Sequence, residues 1–190
     1  MSELIFGLVI FLGAHSIAIV SPAWRDAMAA QLGPRLWRAL YSIVSIMGFL
    51  LIVHGYGAAR LEPHPLYAPP VFLHYVAVVL MVPVFPLLLA AYLPGRIKAA
   101  VQHPMLTATK VWALAHLLAN GALADVLLFG GFLVWAVADR ISVGKRPARA
   151  IAGAPPSRYN DVIAVVGGLA LYVVFVVWAH ARWFGVSPLP

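Results

Sequence analysis

Residues 104–138 read PMLTATKVWALAHLLANGALADVLLFGGFLVWAVA. Taken as one apolar run, the stretch is a single overlong helix. Taken as two, it is a pair of short spans. Asn120-Gly121 decides between these readings, because Asn-Gly is a strong turn signal. Two spans are therefore expected, about Pro104–Ala119 and Ala122–Ala138, folded as a short helical hairpin.

Working outward, the same apolar texture recurs on both sides. A spanning helix needs about 20 mostly apolar residues, within a range of about 17–25. Leu4–Val20, Leu36–Gly57, Val71–Leu93 and Val162–Trp183 meet that requirement. A polar stretch, Trp24–Arg35, separates the first two, and a proline-rich connection, Pro63–Pro70, precedes the third. Pro83 and Pro86 lie inside the third run and should kink it, because each removes a backbone donor. Arg140–Asn160, rich in Arg, Gly, Ala and Pro, reads as a mobile interfacial loop. The expected fold is all-α: a polytopic transmembrane helical bundle of about six spans, forming one domain over residues 1–190.

Charge placement supports six spans over five. Arg25, Arg35, Arg38, Arg96, Lys98, Lys110, Arg140, Lys145, Arg146, Arg149 and Arg158 fall on one side of this scheme, and only Arg60 and Arg182 on the other. The positive-inside rule then puts the basic side in the cytoplasm and both termini outside, in the periplasm of a bacterial inner membrane. Reading 104–138 as one span would move the most basic loop outside.

Composition narrows the function classes. The chain has 190 residues, 63% of them hydrophobic and 10% charged. A soluble domain carries about 45–50% apolar and about 25% charged residues, so lipid is the solvent that suits this chain. The net charge is +7, but the basic residues sit between apolar runs. Headgroup contact explains them better than nucleic acid does, and no recognition module is visible. The chain has no cysteine, which excludes disulfides, thiolate metal sites, iron–sulfur clusters and covalent haem attachment. Met1-Ser2-Glu3 lacks a positive n-region, so the first run is read as a retained span. No hydrolase triad, HExxH, Walker loop or GxGxxG is present.

Seven histidines are the most informative polar residues. His15 and His103 fall at similar depth near the cytoplasmic side, on different helices; His54, His74, His116 and His180 fall nearer the outer side. Two axial haem ligands must face one iron, so depth matters. His103 and His116 are separated by thirteen residues, about 20 Å along one helix, and cannot serve the same iron. Gly13-Ala14-His15-Ser16 is unusually small and could leave a slot for a flat ligand. His103 precedes Pro104 and would be a helix N-cap. Together these make His15 and His103 candidate ligands to haem b, with Arg25, Arg96 and Lys98 as candidate propionate partners. The competing reading makes these histidines interfacial anchors or helix-packing hydrogen bonders. His74 with His180, or His54 with His116, is a fallback second site.

Lys110 lies about two turns inside a span, where an ionisable residue is a functional candidate, or it snorkels to the headgroups. Asp125 could cap its helix or bond the Asn120-Gly121 turn. Asp139-Arg140 suggests a local ion pair or a headgroup contact. Most of the six tryptophans fall near span ends, as an aromatic belt requires.

A family resemblance adds to this reading. Phe11–Ser16, Trp37–Ser42, His103–Leu106, Trp112–Gly121 and Ala138–Arg140 resemble the NnrU family of bacterial membrane proteins. That resemblance implies a role in denitrification, in producing nitrite and nitric oxide reductase activity, with reductase components as partners beside the lipid bilayer. A related membrane enzyme, zeta-carotene isomerase, carries haem b. Its His-Ser and His-Pro motifs are similar to His15-Ser16 and His103-Pro104 here, and its Trp–His segment is similar to Trp112–His116. This chain departs from the isomerase at Gln102, at Ala113 and at Val134-Trp135. The resemblance therefore implies three functions: a haem-binding accessory or sensor protein, a haem-dependent isomerase of a lipid-soluble polyene helped by Lys110, His116 and Asp125, or a cofactor-free assembly partner.

Overall fold

A computed structural model describes residues 1–146 and 153–189. The chain forms two compact units. One comprises Met1–Leu66 together with the stretch from Ala122 through the following long helix; the other comprises Tyr67–Gly121 and the C-terminal segment. Arg149, counted above among the basic-side residues, lies outside the described residues.

In the first unit, α1 (Ser2–Val20) and α2 (Pro22–Ala59) form the tightest pair, and α7 (Leu123–Val143) packs against both. Glycine permits the α1–α2 approach. A β-carbon on Gly48 would stand 2.8 Å from the backbone nitrogen of Phe11, and one on Gly7 would stand 2.6 Å from that of Ile52. Gly55 meets the backbone of Leu4 in the same way. Lipid tails are as apolar as the side chains, so close backbone packing rather than hydrophobic exclusion holds such helices together. The outward faces remain apolar: Phe6, Val9, Ile43, Phe49 and Val134 are all exposed. An apolar helix surface all round marks a membrane span.

The polar stretch 24–35 is helical, which the apolar-run reading does not foresee. α2 begins at Pro22 and is interrupted only at Gly33, whose φ of 78° and ψ of 157° only glycine adopts readily. Pro34 follows and restarts the helix. Residues 22–32 and 34–59 are thus two helical pieces joined by a Gly-Pro kink.

In the second unit, α3 (Val71–Met81) and α4 (Val84–Tyr92) are one apolar run broken at Pro83, as expected from the proline. The break leaves an acceptor to be filled: the Val82 N–H bonds the Val79 carbonyl at 3.2 Å instead of that of Val78. The Tyr172 hydroxyl donates to the Val78 carbonyl at 2.8 Å, so no backbone oxygen is stranded there. Tyr172 lies on α8 (Asn160–Val174), which continues through a π-helical turn (Phe175–Ala179) into α9 (His180–Phe184). α8 packs on α4, with Gly168 against Pro86. α6 (Pro104–Ala119) packs on α3 and α4.

A short helix absent from the apolar-run reading, α5 (Arg96–Val101), begins where Asp161 accepts the Arg96 N–H at 2.9 Å and the Ile97 N–H at 3.0 Å. Asn160, buried beside it, donates to the carbonyls of Pro94 at 2.8 Å and Pro155 at 3.1 Å. The Ala154 N–H bonds the Tyr92 carbonyl at 2.9 Å, so residues 153–160 of the expected loop are pinned to this unit. The other end of that loop is also structured, because α7 carries Arg140 and runs to Val143.

Five helical segments are long and apolar enough to cross a membrane: Ser2–Val20, Pro22–Ala59, Val71–Tyr92, Leu123–Val143 and Asn160–Phe184. α6, the remaining expected span, is the short one. Its 16 residues span about 24 Å, short of a hydrocarbon core of about 30 Å. The break that bounds it is where Asn120-Gly121 put it: α6 ends at Ala119 and α7 starts at Leu123. The Tyr67 hydroxyl clasps the end of α6 through the carbonyls of Leu117 and Asn120, the latter at 2.7 Å.

Candidate functional site around His15

His15 sits on α1 in the first unit, inside an aromatic cluster. Its ring stacks on Phe11 at 4.2 Å and meets Tyr41 of α2 edge-on at 5.2 Å. Trp135 of α7 stands perpendicular to it at 5.9 Å. Phe132, one turn before, closes on Phe11 at 5.7 Å. Phe11 and His15 are one helical turn apart, so both project from the same face of α1.

The tautomer follows from one contact. His15 Nδ1 lies 2.7 Å from the Phe11 carbonyl, which can only accept. Nδ1 therefore carries the hydrogen, and a neutral ring keeps its lone pair on Nε2. A hydrogen bond of this kind orients a ligating imidazole and raises its basicity. An Nε2 without a partner among the described residues and aromatic walls fit one axial ligand of a flat iron macrocycle.

The other histidines divide plainly. His116 and His180 also donate from Nδ1 to backbone carbonyls, of Trp112 at 2.8 Å and of Val186 at 2.8 Å. His54 pairs with Glu3 at 2.6 Å, with both side chains at least half exposed. His74 has a buried Nδ1 without a partner among the described residues. His74 and His180, the fallback pair within the second unit, make no hydrogen bond or ring contact with each other among the described residues. No cluster of three or more metal-ligating side chains occurs among the described residues. His103, in the second unit, is the N-cap of α6 with Pro104 following, as expected.

Two of the three candidate propionate partners, Arg25 and Lys98, already have engaged side chains. Arg25 pairs with Asp26 at 2.8 Å and lies 5.6 Å over the Trp37 ring. Lys98 donates to the Ala91 carbonyl at 2.7 Å, at the end of α4. Arg96 is exposed and contributes its backbone N–H to Asp161. Lys110 is half-buried and makes no hydrogen bond or ion pair among the described residues. Asp125 caps α7 by accepting the Ala122 N–H at 2.9 Å, and it also accepts the Tyr56 hydroxyl at 2.6 Å. Asp139 finds its ion pair seven residues on, with Arg146 at 2.6 Å, and both side chains are largely buried.

Tyr41 and Trp135 are the residues near His15 that sequence reasoning missed. Their signal was weak: an aromatic residue in an apolar run does not reveal which helix face it shares with a histidine. The Phe11 carbonyl carries no sequence signal beyond the four-residue spacing.

The family profile described as NnrU protein matches residues 3–188. The chain belongs to the NnrU family. The match runs through both units, including the His15 cluster and the Asp125 cap. No curated protein and no solved structure matches this NnrU protein.

Proposed function

We propose that this NnrU protein binds haem b in the bacterial inner membrane, with His15 as an axial ligand, and through it supports the production of nitrite and nitric oxide reductase activity. The observation that carries the reading is the His15 Nδ1–H donated to the Phe11 carbonyl at 2.7 Å, which leaves Nε2 the lone pair that iron requires. His103 enters as the second ligand on sequence grounds alone, as do Arg96 and Lys98 as propionate partners. Arg25 would exchange its exposed pairing with Asp26 for a carboxylate of the ligand. Haem, when bound, supplies nitric oxide binding or electron transfer. The protein's part is to orient the imidazole through the Phe11 carbonyl. Both termini are assigned to the periplasm by the positive-inside rule.

The test is an absorption spectrum of protein purified from haem-replete cells. Wild type is expected to show a Soret band, with His15→Ala and His103→Ala each losing it at unchanged helicity. A colourless wild-type protein contradicts the proposal.

A further inference from the structure

Among the described residues, two buried donors, one on α7 and one just after it, have no acceptor. Trp135 Nε1 and Arg146 Nη1 are both shielded from solvent, and neither has a hydrogen-bond partner among the described residues. A buried N–H without an acceptor forfeits its hydration, a cost of about 1–3 kcal/mol that native structures avoid. The two are connected. Trp135 and Asp139 are one helical turn apart on α7, and Asp139 holds the other arm of Arg146 at 2.6 Å.

We propose that Trp135 Nε1–H and the free arm of Arg146 bind the carbonyl oxygen of a lipid-soluble molecule. Charge sets the class. The Asp139–Arg146 pair is neutral as a unit, so the free arm offers a hydrogen bond without a net positive charge, and a neutral oxygen suits it better than a phosphate dianion. The walls set the body: Trp135 stands against the His15 ring, which Phe11 and Tyr41 border in turn, and this aromatic surround favours a flat apolar group. Two sources supply such an oxygen, the head of a quinone or the ester carbonyl of a phospholipid. The site stands whether or not His15 holds haem, because neither donor depends on the histidine.

The test uses the whole protein in nanodiscs with a short-chain benzoquinone carrying 13C-labelled carbonyls, read by infrared difference spectroscopy. A bound quinone is expected to show its carbonyl band at lower wavenumber. Trp135→Phe, which keeps the ring and removes the N–H, and Arg146→Gln should each abolish that shift and raise the dissociation constant about fivefold. If lipid is the source, the shifted band is that of the phospholipid ester, the quinone band is unperturbed, and the same two variants remove the ester shift. Both bands unchanged between wild type and Trp135→Phe would overturn the site. Trp135→Phe leaves the Asp139–Arg146 pair intact, so loss of folding in Arg146→Gln does not blunt the test. Loss of the Soret band in His15→Ala with the carbonyl shift retained separates this site from the haem reading.

Discussion

At the scale of single residues, the polar groups inside the helices account for most of what is specific about this chain. Asp125 is 7% exposed, and an ionised carboxylate in an apolar unit needs its lone pairs filled. Tyr56 and the Ala122 N–H fill them at 2.6 and 2.9 Å. Tyr56→Phe removes one donor, and thermal unfolding in detergent should report a loss of about 1–2 kcal/mol. Asp125→Ala removes the cap as well and should cost more than Tyr56→Phe; equal midpoints for wild type and both variants would show that the pair holds nothing. The sequence marked Asp125 as a cap because it stands just after Asn120-Gly121. It could not name Tyr56, which is 69 residues away. The same holds at His15. The small run Gly13-Ala14 and the histidine were legible, whereas Tyr41 and Trp135 reach it from other helices. The pairing of Asp139 with Arg146 was equally out of reach, because Arg146 lies past the end of α7, where the sequence does not say which way the chain turns.

At the scale of elements, backbone chemistry explains both the successes and the misses of reading by apolar runs. Asn120-Gly121 ended one helix, and Pro83 broke another, because these residues act on their own backbone. Helix 22–32 and α5 were missed because they are polar or short and their partners lie far along the chain. Asp161 caps α5 across more than sixty residues, so replacing it with Ala should abolish the slow amide exchange at Arg96 and Ile97 while leaving α8 protected. Retained protection at those two amides would mean that α5 does not need its carboxylate. Between elements, Gly48 lets α1 touch α2. Gly48→Leu should destabilise the first unit by about 1–3 kcal/mol or more, because the approaching atoms belong to backbone and cannot swing aside. Unfolding monitored in detergent would report this as a lowered midpoint, and an unchanged midpoint would show that the α1–α2 contact is looser than drawn.

At the scale of the whole molecule, membrane character was legible from composition, and five of the expected spans are long enough to cross. The sixth, α6, is short: an apolar run bounded by a turn reveals its ends, and its 16 residues match the bilayer where the membrane thins. The chain has no cysteine, so single cysteines at Ser2 and Ser187 can be tested with an impermeant maleimide without any background from the protein. The charge distribution predicts labelling of both from the periplasmic side. Labelling of the two from opposite sides would mean five crossings and would reverse part of the charge assignment. The claim on which the functional reading rests is that His15 presents its Nε2 to iron. It is tested most directly by His15→Gly purified with and without added imidazole. Loss of the Soret band in the variant and its return with free imidazole is the predicted result; a haem spectrum in the variant identical to that of wild type would contradict it.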